Sequence, residues 1–192
     1  MAYESLPQDD INTIITSYDA TNERGLITTV AQSGKVQTKR TGVQRHDFKI
    51  TVSIFGYNNI KAFQAFLNRN IDTPFWVSLP AYQVNHSTNA TVSASTAVMA
   101  SAVPLSGFTG TIPAGAFFQF TNHSKVYQLM YPITGSASAV IHPPLRQPVT
   151  ISEGVNLKDV KFLVKQTEGT LQTKIDTVDW IAEITLEVKE AF

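Results

Sequence analysis

The stretch WIAEITLEVK, residues 180–189, alternates more cleanly than any other in the chain. Trp180, Ala182, Ile184, Leu186 and Val188 fall on one side, and Ile181, Glu183, Thr185, Glu187 and Lys189 on the other. Successive side chains of a strand point to opposite faces, so the pattern predicts one buried face and one wet face. Such a strand needs partners, and the far end of the chain offers them. In HDFKITVSI, residues 46–54, Phe48, Ile50, Val52 and Ile54 alternate with Lys49, Thr51 and Ser53. Phe75, Val77 and Leu79 alternate with Trp76 and Ser78 until Pro80, which cannot donate to a ladder. Val160, Phe162 and Val164 alternate with Lys161, Leu163 and Lys165.

Between these strands the pattern changes. Ile60, Phe63, Phe66 and Leu67 recur at helical spacing, predicting a helix over Asn59–Asn70 with Asn58 or Asn59 as its cap. Lys35–Gln44 is polar but tolerant of β structure and opens after the turn signal Ser33-Gly34. Gln166–Val178 reads as a loop or an exposed hairpin.

Charge divides the chain into three zones. Charged residues are frequent up to Tyr82 and again from Arg146, whereas Lys125 is the only one between Gln83 and Leu145. A neutral block between charged flanks predicts an insertion, with 1–82 and 159–192 forming one discontinuous domain and 83–158 a second. Within the block, Ala90–Ala94, Ala97–Leu105, Ala116–Phe120, Lys125–Tyr131 and Ala137–His142 read as short strands separated by Gly and Pro turns. That is the signature of a small barrel or sandwich. The expected fold class is mainly β: a β-sandwich-like domain with one short helix, interrupted by a small inserted β-barrel.

Composition excludes several function classes. The 192 residues are 43% hydrophobic, enough for a core, and 15 basic residues balance 15 acidic ones. A formal net charge of zero lacks the electrostatic footprint of a duplex-binding protein. No cysteine means no disulfide and no thiolate chemistry. The early residues lack a secretory pattern and no apolar run would span a bilayer, so a soluble chain made in a cytoplasm, without a membrane partner, is expected.

Catalytic groupings are absent as well. No nucleophile elbow, Walker loop or zincin motif occurs. His46, His86, His123 and His142 have no short ligand spacing, and no carboxylate accompanies the three that lie in the neutral block. Asp9-Asp10 lies near a terminus, Asp176 and Asp179 are close in sequence, and Glu183 with Glu187 falls on the wet face of the last strand. Neither an enzyme, a metal nor a cofactor is expected. The strongest charge feature is the run Lys35, Lys39, Arg40 and Arg45, a candidate subunit interface or channel lining. Phe117, Phe118, Phe120, Tyr127 and Tyr131 could stack on bases or sugars, but parity assigns Phe118 and Phe120 to a barrel core.

The block also carries IPAGAFFQFTNHSKVYQLMYPITGSASAVIHPPLRQ, residues 112–147. A Pro-Ala-Gly turn, an apolar strand, HSKVY and a strand ending in PPL resemble the inserted OB-like domain of siphophage distal tail proteins. The flanks SGKVQTKRTGVQRHDFKITVSIFGY, PFWVSLPAYQ and WIAEITLEVKEAF resemble that family's ring-forming domain. The resemblance covers most of the chain beyond Ile27, and the order and spacing of the motifs carry it. Gly115, His123, Lys125, Tyr127, Pro143 and Pro144 are the positions that match the barrel motif. An acidic residue that often follows the turn glycine in the family is replaced here by Ala116.

The resemblance implies a structural virion protein, assembled in the host cytoplasm, that forms a hexameric ring at the distal end of a phage tail. Its partners would be further copies of itself, the tail tube protein and the tail tip or baseplate hub protein, with tail fibres as a further candidate. In such a ring Gly34–Arg45 would be a hairpin reaching the adjoining subunit. An alternative is a carbohydrate-binding module that touches host glycans through the barrel. A single-stranded nucleic-acid binder is disfavoured, because one lysine cannot build a backbone-tracking groove.

Overall fold

The computed structural model describes residues 3–9, 11–83, 90–167 and 172–191, with no side chain described at positions 24 and 40–43. In chain order the elements are β1 (Thr13–Val30), β2 (Val36–Phe55), helix α1 (Tyr57–Arg69) and β3 (Phe75–Ser78). Eight strands follow: β4 (Ala90–Val92), β5 (Ala102–Ser106), β6 (Thr111–Ile112), β7 (Phe117–Phe120), β8 (Val126–Leu129), β9 (Ile133–Thr134), β10 (Ala137–His142) and β11 (Gly154–Asn156). The chain closes with β12 (Lys161–Gln166), β13 (Gln172–Asp176) and β14 (Ile181–Glu190).

These elements form a mainly β protein with one helix, in two compact units. The first comprises 1–77 and 163–191, the second 78–162. The crossings lie a few residues outside the 83–158 block suggested by charge.

The first unit is one curled sheet with α1 packed on it, rather than two separate sheets. Its strand order is β1-β2-β14-β12-β3, with β13 also paired to β14. The two alternating stretches meet in antiparallel register: Phe48 faces Val188, Ile50 faces Leu186, Val52 faces Ile184 and Ile54 faces Ala182. All eight side chains are buried. On the wet face the same register sets Lys49 beside Glu187 and Asp47 beside Lys189, at 3.0 and 3.1 Å. Exposed pairs like these contribute little stability but keep the outer face soluble.

Helix α1 buries Ile60, Phe63, Phe66 and Leu67, the predicted stripe. Phe66 meets Phe75 edge-on at 5.3 Å. The predicted cap is corrected. The helix starts two residues earlier than the stripe suggests, its cap is Gly56 at φ 91°, and no side chain caps it. Asn59 instead turns its amide back to donate to the Phe55 carbonyl at 2.8 Å. Glycine enters this left-handed backbone without the penalty a side chain brings. At the other end, the Phe66 carbonyl accepts both the backbone N–H and the side-chain amide of Asn70, and the Gln166 amide donates to the carbonyls of Leu67 and Asn70.

In the second unit β10-β5-β4-β11-β7-β8 form a closed barrel, six strands where an OB-fold has five. Val92, Val103, Leu105, Phe118, Phe120, Tyr127, Leu129, Ala139, Ile141 and Val155 fill it. The β6–β9 pair adds Ile112 and Ile133. Strand β10 has the predicted bounds, but β5 starts at Ala102 rather than Ala97, because Met99 adopts a left-handed turn conformation at φ 69°.

Candidate functional site

Three places bring together side chains that sequence reading singled out or missed. The first is the β1–β2 hairpin. Val30 pairs with Val36 across a turn closed by the Gly34 N–H donating to the Ala31 carbonyl and the Ala31 N–H donating to Lys35. Gly34, at φ 78°, supplies the left-handed step. Lys35 sits at that turn, Lys39 pairs with Ile27, Arg40 with Leu26 and Arg45 with Glu23. The Arg40 side chain lies outside those described. Every position from 26 to 39 is exposed, on both faces of the hairpin. Leu26, Ile27, Val30 and Val36 are among them, Val30 at 64% exposure. A two-stranded ribbon with no third layer gains little from burial. Apolar side chains at such positions mark a surface that something covers.

The second is a buried polar circuit in the barrel, built around His123 and Tyr127 of the expected motif. The Arg146 N–H donates to the Tyr127 hydroxyl oxygen at 3.1 Å, and the same hydroxyl lies 3.2 Å from His123 Nδ1. His123 Nε2 lies 3.9 Å from Glu153 Oε1. Glu153 accepts the backbone N–H groups of Asn122 and Thr150. Burial holds the His123 pKa below the ordinary 6.5, while the Glu153 carboxylate and the Pro148 carbonyl pull the other way. Sequence reading found no carboxylate for the block's histidines. The fold corrects this by carrying Glu153 in from just beyond the neutral stretch.

The other motif positions serve the barrel frame. Gly115 turns at φ 85° and donates to the Leu129 carbonyl at 2.7 Å. Lys125 is fully buried, so it presents no charge to a groove. Pro143 is buried and Pro144 half-buried where β10 ends, ahead of Leu145, whose N–H donates to Ala100. His86 lies outside the described residues. Of the aromatic side chains considered for stacking, Phe118, Phe120 and Tyr127 belong to the core and Phe117 meets Tyr82 edge-on at 4.6 Å. Tyr131 is exposed.

The third place is at the seam between the chain's ends. Glu190 accepts both the backbone N–H of His46, at 3.1 Å, and its ring Nδ1–H, at 3.0 Å. Both side chains are buried. Nothing in the sequence pairs two residues 144 positions apart.

Asp9 anchors its own stretch of chain. Its carboxylate accepts the N–H groups of Ile11, Asn12 and Thr13, which fixes the entry to β1. Those bonds hold its pKa at about 2. Asp10 lies outside the described residues. Among the described residues no three His, Asp or Glu side chains gather as a metal site, and no helix is long and apolar enough to cross a membrane. Compared with known proteins, the sequence matches no family model and no curated protein.

Proposed function

We propose that the chain is a structural subunit of a phage tail, repeated as a hexameric ring at the distal end and joining the tail tube to the tip or baseplate hub. The observation that carries this reading is the hairpin 26–39, exposed on both faces while carrying four large aliphatic side chains and a basic end. A chain that works alone gains nothing from such a ribbon, whereas a repeating subunit can bury it on a neighbour. Closed rings arise when head-to-tail contacts rotate back on themselves, and they need a stiff scaffold to hold the angle. The β2–β14 seam, with its buried cross-strand pairs, supplies that stiffness. The order of the barrel and flank motifs adds the resemblance to distal tail proteins. On this reading the barrel is a peripheral decoration, the partners are further copies and the tail proteins above and below, and the site of action is the virion.

Native mass spectrometry of the purified full-length chain over a range of concentrations tests the reading. A closed oligomer, six copies in the proposed case, is the expected result, weakened by Lys39→Glu with Arg40→Glu. A chain that remains a monomer at every concentration refutes it.

A further inference from the structure

The sheet of the first unit ends in two unlike surfaces. At the hairpin end the exposed apolar residues are Leu26, Ile27, Val30 and Val36, and every charge from Leu26 to His46 is positive: Lys35, Lys39, Arg40 and Arg45. At the opposite end, the β13–β14 turn exposes Val178 and Trp180 beside Tyr57 at the start of α1, at 85, 42 and 45%. There every charge from Ile175 to Val188 is negative: Asp176, Asp179, Glu183 and Glu187. Glu187 is matched by Lys49 and Glu183 lies across from Lys174, which leaves Asp176 and Asp179 beside the aromatic pair.

This second surface is built with care. Trp180 holds a left-handed backbone at φ 52°, a conformation that bulky residues rarely adopt. Its carbonyl accepts the Gly56 N–H at 2.8 Å, and its ring meets Tyr57 edge-on at 4.8 Å. Lys61 lies over the Tyr57 ring at 4.2 Å. Asp176 accepts the Val178 N–H at 2.9 Å and so fixes the turn. Rigid Trp and Tyr side chains with part of their surface open are the residue types that anchor protein interfaces.

The two surfaces are complementary in charge and alike in apolar character, yet one chain cannot join them. Ile181 pairs with Phe55, at one end of β2, and the hairpin turn begins before Val36, at the other. At about 3.3 Å per residue those ends lie roughly 60 Å apart along the strand. We propose that the hairpin end of one copy docks on the Tyr57–Trp180 surface of a second copy. Lys35 and Lys39 would face Asp176 and Asp179, with Val30 and Val36 against Val178 and Trp180. This rests on the ring reading and names its acceptor. Such a contact joins unlike surfaces head to tail, as ring closure demands.

The absence of cysteine makes the test direct. Val36→Cys and Val178→Cys are prepared as separate full-length variants, mixed, and oxidised mildly at a concentration where the oligomer forms. The expected result is a mixed disulfide in at least about ten-fold excess over either homodimer, as for a preferred contact worth more than 1.4 kcal/mol. Lys35→Glu with Lys39→Glu should abolish the excess, and adding Asp176→Lys with Asp179→Lys on the facing copy should restore it. Oligomers of unchanged mass without the mixed disulfide, or homodimers in equal yield, would overturn the docking while leaving the ring standing. No oligomer and no disulfide would overturn both.

Discussion

Replacing Glu190 by alanine removes the acceptor that joins the last strand to the middle of β2. Two buried donors lose their partner together, the His46 backbone N–H and its ring Nδ1–H. An unsatisfied buried donor costs about 1–3 kcal/mol, so the pair gives about 2–6. Breaking a buried ionisable pair by removing one partner costs about 3–5, which narrows the expectation to that range. Glu190→Gln keeps an oxygen in place and surrenders only the charge, so it should cost roughly 1 kcal/mol. Urea unfolding followed by tryptophan fluorescence reads this cleanly. The only two tryptophans, Trp76 and Trp180, both belong to the first unit. The midpoint should fall with an unchanged slope, because the area exposed on unfolding is the same. Glu190→Ala within about 0.5 kcal/mol of the parent, the range of an ordinary surface substitution, would refute the reasoning.

His123 gives the barrel a pH dependence of known sign. Its folded pKa lies below 6.5, so its contribution is complete above that value and is lost as pH falls toward the folded one. The protection of the β7 and β8 amides, taken as exchange relative to its intrinsic rate at each pH, should therefore fall below pH 6.5 in the parent and less so in His123→Gln. Gly115→Ala should cost about 1–2 kcal/mol through its left-handed backbone alone, since the added carbon would meet only Gln128 Nε2 at 3.9 Å. Thermal melts of the two proteins check this. The Asp9 carboxyl should titrate near 2 by NMR, and the order it gives the β1 entry should be lost as pH falls from about 4 toward that value. A midpoint near 3.8 would mean that its three backbone bonds do not persist.

The sequence was most informative where one face is dry. β2 from Phe48, β14 and α1 announce themselves because their buried side chains repeat at two or 3.6 positions, and those same side chains make the core. β1 was not legible. It is an edge strand whose side chains are mostly exposed, and bulges between Ile15 and Ser17 and between Arg24 and Leu26 break its period. Strands β6, β9 and β11, two or three residues each, are too short to show a period at all. The basic run was visible as charge, but that it lies on an uncovered ribbon required the register of β1. The pairs His123–Glu153 and His46–Glu190 were invisible because a strand pattern says which face a residue takes, not which distant carboxylate the fold brings to it. Parity alone assigns Trp180 to the buried side of β14. Its left-handed backbone instead ends the β13–β14 turn and leaves the ring beside Tyr57.

Cryo-electron microscopy of the purified full-length chain puts the ring reading to its most direct trial. End views should show closed particles with sixfold rotational symmetry, and density for residues 26–39 should cross each seam onto the neighbouring copy. Single copies, open filaments, or closed particles in which the hairpin stands alone in solvent would contradict it.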